Sequence, residues 1–223
     1  MTLAMVLIEA CVGSLDEALA AEQGGAHRLE LCDRLDVGGT TPSPELLDDV
    51  KRRVRIPVSV MIQPRGGVFV HTPDEVEQMG CEIGVARAHG ADMLVIGALD
   101  DRGVVHAPVV RNLVARAGST PVTFHRAFDE IIDQMAALES LIDAGISRVL
   151  TGGGSGAAID GVDRLAQLVR QSAGRITIMA GGSVRGHNVR AIVDRSGVTE
   201  VHARCERDPK RIGDIVAALA RVS

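Results

Sequence analysis

The chain has 223 residues, is 46% hydrophobic and 24% charged, and carries a formal net charge of −5. That is the profile of a soluble globular domain long enough to bury a sizeable core, and its acidic balance argues against a general nucleic-acid binder. With three Phe and no Trp or Tyr there is no stacking platform for single strands, and no apolar run approaches the roughly 18–20 residues of a membrane span.

The start, MTLAMVLIEAC, lacks a basic region and passes straight into a strand, so no signal peptide is expected and the location expected is cytoplasmic. Met5–Cys11 is the first apolar, β-branched run. Ser14–Gln23 follows as a helix, with Ser14 as cap, Glu17 in the capping-box position and Gly24-Gly25 as its stop. His27–Cys32, HRLELC, alternates charged and apolar residues with period two, the mark of a strand. Ser43–Arg53 reads as a helix with Pro44 in its first turn, and Pro57–Gln63 as a strand. Pro73–His89 has helical apolar spacing at Val76, Met79, Ile83 and Ala86. Strands then read at Asp92–Ile96, Pro121–His125, Arg148–Thr151, Arg175–Ala180 and Glu200–His202. Helices read at Pro108–Arg116, Ile131–Ala144, Gly156–Ser172, Arg185–Arg195 and Arg211–Ala220. No linker or composition shift interrupts the series.

Eight strands alternating with eight helices predict a (β/α)8 barrel forming a single domain, residues 1–223. The rival is a doubly wound open sheet. In a barrel the active site lies at the C-terminal strand ends, which sorts the polar residues. The first two strands both end in Glu-x-Cys: Glu9 and Cys11, Glu30 and Cys32. Side by side, they would set Glu9 near Glu30 and Cys11 near Cys32. Carboxylates buried in a parallel sheet are costly unless paired or functional. Glu9, Glu30, Arg28 and Arg65 are therefore either an ion-pair network plugging the barrel floor or acid–base and anion-binding groups. Cys11 and Cys32 are either small apolar fillers or a two-thiolate site suited to a soft ion such as Cu(I), with Met61 one strand over.

His125 and His202 stand at strand ends, with Asp129 just beyond the first, as candidates for proton transfer or metal binding. The other histidines read as solvated. The glycine-rich ends at Thr151–Gly154 and at Ala180–Ser183, including Gly181 and Gly182, read as tight turns or as a phosphate cradle. A Schiff-base lysine has no place, since neither Lys51 nor Lys210 ends a strand. The G-x-S-x-G elbow and the HExxH pattern are also missing.

The segments IEAC, RLELC, GGTTPS, PVSVMIQPRGG, PVTFHRAFD, RVLTGGG and IMAGGS, in this order over residues 5–204, resemble the CutC family, described as copper homeostasis proteins. The resemblance implies a cytoplasmic TIM barrel, a homo-oligomer (dimer or tetramer), and Cu(I) ligands at Cys11 and Cys32. It implies pocket residues Glu9, Arg28, Glu30, Arg65, His125, Arg126, Asp129 and His202. The chain departs from the family pattern at Gln63 and Val68, usually Arg and Asp, at Gly152, where the family reads Thr-Ser-Gly, and at Ala180, where it reads Pro-Gly-Gly-Gly. The expected function is Cu(I) binding by Cys11 and Cys32, without nucleic acid or membrane. The alternative is an enzyme acting on a small anionic metabolite, phosphorylated or not. In that case Glu9, Glu30, His125 and Asp129 handle protons, and Arg28, Arg65, Arg126, His202, Gly181 and Gly182 bind the substrate. A barrel serving only as an oligomeric scaffold would need fewer charges at its strand ends.

Overall fold

The computed structural model describes residues 5–154 and 156–220. The first four residues, part of the start read as lacking a leader, lie outside them. The strands are β1 (Leu7–Val12), β2 (Arg28–Leu31), β3 (Val58–Met61), β4 (Met93–Ile96), β5 (Val122–Phe124), β6 (Arg148–Thr151), β7 (Thr177–Ala180) and β8 (Glu200–Arg204). The helices are α1 (Leu15–Gln23), α2 (Pro44–Arg53), α3 (Pro73–Ala88), α4 (Ala107–Ala117), α5 (Gln134–Asp143), α6 (Val162–Ser172), α7 (Val189–Ser196) and α8 (Pro209–Ala220). Each strand pairs in parallel with the next, and β8 pairs with β1. The sheet is thus a closed barrel rather than the open doubly wound alternative. No described helix is long and apolar enough to cross a membrane.

Closure resolves the conflict between burial and charge. Residues such as Ile8, Leu29, Val60, Ile96, Phe124 and Val201 belong to the large apolar cluster that packs strands against helices, where each fully buried side chain contributes about 1.5–3 kcal/mol. The alternate positions point inward, and there the charged residues and thiols collect. A small separate cluster of Cys11, Cys32, Met61 and Val95 is the apolar part of that interior.

Glu9 and Glu30 lie near each other as expected, as do Cys11 and Cys32, with ligand atoms within 4.8 Å, although the strands pair with a stagger. Glu9 stands opposite Arg28 and Cys11 opposite Glu30, a shift of two residues from Glu9 facing Glu30. A closed sheet must stagger its strands around the barrel, and this offset is that stagger.

Three helices start later than expected. Asp133 caps α5 by accepting from the Ala136 N–H (3.0 Å), so residues 131–133 stay outside it. The segment before α6 crosses to the end of β7, where the Ala158 N–H donates to the Gly182 carbonyl (2.9 Å). Before α7, Asn188 Oδ1 accepts from the Arg185 N–H (2.8 Å) and holds a turn. The capping box expected at Ser14 is half formed: Ser14 caps Glu17, but the Glu17 carboxylate accepts from the Gly13 N–H. A complete box stands instead at Thr72 and Glu75 on α3.

Candidate functional site

The barrel interior is built in layers. In the lower one, Arg28 on β2 forms an ion pair with Glu9 on β1 and a second with Glu200 on β8 (2.7 Å). Arg148 on β6 grips Glu200 from the other side, Nε to Oε2 at 2.6 Å and Nη2 to Oε1 at 3.1 Å. Ser59 on β3 donates to Glu9 Oε2 (3.2 Å). Burial opposes ionisation of Glu200 and Arg28, but their partners outweigh it, so the carboxyl stays below and the guanidinium above its ordinary range. Glu9 and Arg28 therefore lie in a charge-paired floor that spans the barrel, Glu30 lies beside Glu9 in the layer above, and Arg65 lies outside the interior. The sequence reading overlooked Glu200 and Arg148. The alternation Glu200-x-His202-x-Arg204 in β8 carried the signal, since it puts all three on one face.

In the next layer, Cys11, Glu30 and Cys32 each present a donor atom, and the three atoms lie within 4.8 Å of one another. The Cys32 thiol donates to Glu30 Oε2 (3.7 Å), and His202 Nε2 meets the same oxygen at 3.0 Å. The two thiols do not share one titration. A hydrogen bond from Cys32, helped by His202, holds Cys11 below the ordinary thiol value against burial and the Glu30 charge. The same bond and burial push Cys32 well above it. The two thiols therefore differ in acidity, Cys11 being the more acidic. Burial disfavours charge on both Glu30 and His202, yet their mutual attraction wins, keeping Glu30 ionised and the imidazole protonated well above its ordinary value.

His125, just past β5, faces the same space. Its Nδ1 accepts the Ala127 N–H (3.1 Å), which leaves the proton of the neutral ring on Nε2, directed at Gln63 Oε1 (3.5 Å). Burial lowers its pKa to about 4, so the ring is a hydrogen-bond donor at neutral pH. Phe69 packs on one side, centroids 4.8 Å apart. Gly97 on the other has no side chain because a Cβ there would collide with the imidazole. Together Cys11, Glu30, Met61, His125, Arg126 and His202 line a cavity of about 150 Å³.

The remaining candidates serve the loops around this cavity. Arg65 bonds Glu75 through Nε (2.6 Å) and Nη2 (3.2 Å), and the Val68 and Val70 carbonyls take its other donors. Its place is an outer cleft of about 750 Å³ rather than the barrel interior. Asp129 accepts from Arg126 Nε (2.7 Å), Thr151 Oγ1 and the Gly152 and Gly154 N–H groups. It thereby ties down the loop after β6. The Gly181 N–H is taken by the Thr151 carbonyl (2.9 Å), and a Cβ on Gly181 would strike Leu150. Val68 is exposed, and Gly152 and Ala180 are buried in the same loop ends.

The reading of the other histidines as solvated is corrected at three positions. His27 Nδ1 accepts from the Ile8 N–H (3.0 Å), His106 caps α4, and His71, half-buried, bonds the Gly97 carbonyl (2.9 Å). Each has a backbone group to satisfy, which strand and helix patterns do not reveal. Cys81 is exposed, and Cys205 is buried with its thiol donating to the Asp208 carbonyl (3.8 Å).

The CutC family's sequence profile matches residues 6–206. The copper homeostasis protein cutC homolog of Mus musculus is 48% identical over 204 residues, covering 91% of this chain and 75% of that protein. Its Homo sapiens counterpart is 47% identical over the same shares. A solved structure of a CutC protein from Streptococcus agalactiae superposes with a TM-score of 0.86 at 33% identity, covering 89% of this chain and 98% of that one.

Proposed function

The chain belongs to the CutC family, and from that premise we propose that it binds Cu(I) through Cys11 and Cys32, in the service of copper homeostasis. One observation carries the reading: two thiol sulfurs from adjacent strands lie within 4.8 Å of each other and of a Glu30 oxygen, beside a small interior cavity. Thiolates are the donors that favour Cu(I) over harder ions. Cys11 is already the more acidic thiol, and Met61 adds a soft thioether to the same cluster. The reading takes the thiols as held reduced in the cytoplasm, within one TIM-barrel domain that assembles as a homo-oligomer.

The interior cavity of about 150 Å³ suits an ion, while the adjoining outer cleft of about 750 Å³, which shares Val37, Gln63, Gly66 and Gly67 with it, has the size of a small-molecule pocket. Arg28 and Arg65, which the enzyme reading would use to hold an anion, are engaged by carboxylates.

Competition with a chromophoric Cu(I) chelator tests the proposal. Changing both residues, Cys11→Ser and Cys32→Ser, should weaken Cu(I) binding by more than about 100-fold, beyond the roughly 10–100-fold cost of outer-shell changes. Unaltered affinity would remove the thiols from the account.

A further inference from the structure

Beneath the thiols the interior holds a second donor set of different chemistry. Glu9, Glu30 and His202 each offer one ligand atom, and these three lie within 4.8 Å of one another. Glu9 and His202 are level with each other on β1 and β8, and Glu30 leans toward them from β2. An independent observation singles out the carboxylates. Glu9 Oε2 is engaged by Arg28 and Ser59, and Glu30 Oε2 by His202 and Cys32. The second oxygen of each, Oε1, is fully buried and meets no donor among the described residues. The two side chains are 0% and 3% exposed. A buried carboxylate oxygen without a donor is costly, so two of them side by side call for a common partner. The floor does not supply it, because Arg148 is turned to Glu200 and Arg28 is shared by Glu200 and Glu9 Oε2.

We propose that Glu9, Glu30 and His202 form a binding site for a divalent cation of hard or borderline character, separate from the thiol pair. Two carboxylates and an imidazole suit ions such as Mn2+ or Zn2+ and disfavour Cu(I), whose preference is for sulfur. His202 then ligates as the neutral imidazole, and its proton passes to solvent as the ion enters. Access is from the cavity, which Glu30 and His202 line while Glu9 lies behind them. Glu30 stands between the hard and the soft set. The site does not depend on the copper reading, since none of its ligands is a thiol.

Mn2+ is the probe, because it binds oxygen and imidazole and has little affinity for thiols. Loss of the free-ion EPR signal on titration of the full chain reports binding. The wild type should take up one equivalent. Glu9→Gln and His202→Asn should each weaken uptake by at least about tenfold, the lower end of what outer-shell losses cost. The double change Cys11→Ser and Cys32→Ser should leave it within about twofold. Circular dichroism on each variant identifies any that fails to fold; Glu9→Gln removes a buried ion-pair partner, so His202→Asn carries the test if it unfolds. No uptake by the wild type overturns the proposal, with buried water or a shared proton then serving the two oxygens. Uptake that survives both ligand changes, or that vanishes with the cysteines, also overturns it. Cu(I) affinity in the same variants reports on the thiol site separately.

Discussion

At the scale of single residues, His125 makes the sharpest statement about pH. Its folded pKa of about 4 lies below the roughly 6.5 of an unfolded chain. Between those values the unfolded state binds more protons, so this residue's contribution to stability is full above about pH 6.5 and is lost as pH falls toward 4. An NMR titration of the ring should show a midpoint near 4, and a midpoint near 6.5 would mean the imidazole is not enclosed. Gly97 enforces that enclosure. Gly97→Ala would drive a methyl into the ring, at a cost of about 1–3 kcal/mol for an overpacked core, measurable by urea unfolding. The strand-end position of His125 was legible in the sequence. Its neutral, Nε2-protonated state was not, because that depends on the Ala127 N–H and on Gly97, neither of which belongs to a motif.

At the scale of elements, the chain's punctuation was more legible than its loops. Ser14, Ser43 and the first-turn prolines mark their helices as read, since a cap satisfies orphan N–H groups within three residues. The starts of α5, α6 and α7 were misread because long-range bonds, such as Ala158 to Gly182, hold the preceding residues out of the helix. The loop after β6 shows the same thing on the side of function. Asp129 is one short helical turn from His125 and invites a chemical role, yet its carboxylate meets four donors, Arg126 beside it and Thr151, Gly152 and Gly154 at the end of β6. Asp129→Ala should cost about 1.5–3 kcal/mol, the scale of a hydrogen bond to a charged group, and should speed amide exchange at Gly152 and Gly154. Unchanged exchange there would return Asp129 to the list of free carboxylates.

At the scale of the molecule, the alternation of strands and helices disclosed the barrel, but not its stagger. Glu9 and Glu30 stand in the same slot of two Glu-x-Cys endings, and only the register separates the floor carboxylate from the one beside the thiols. The floor also ties together strands distant around the ring, through Arg148, Glu200, Arg28 and Glu9. Removing one member leaves buried guanidinium charge uncompensated, so Glu200→Gln should destabilise the fold by about 3–5 kcal/mol, read from the urea midpoint. A loss below about 1 kcal/mol would mean the floor is not closed. We propose above all that the barrel brings two thiols together around one copper ion. X-ray absorption at the copper edge of the Cu(I)-loaded protein tests it most directly. Two sulfur donors should bind the copper and be lost in the protein carrying Cys11→Ser and Cys32→Ser, whereas oxygen and nitrogen donors alone, or sulfur donors unchanged in that variant, would rule out a thiol site.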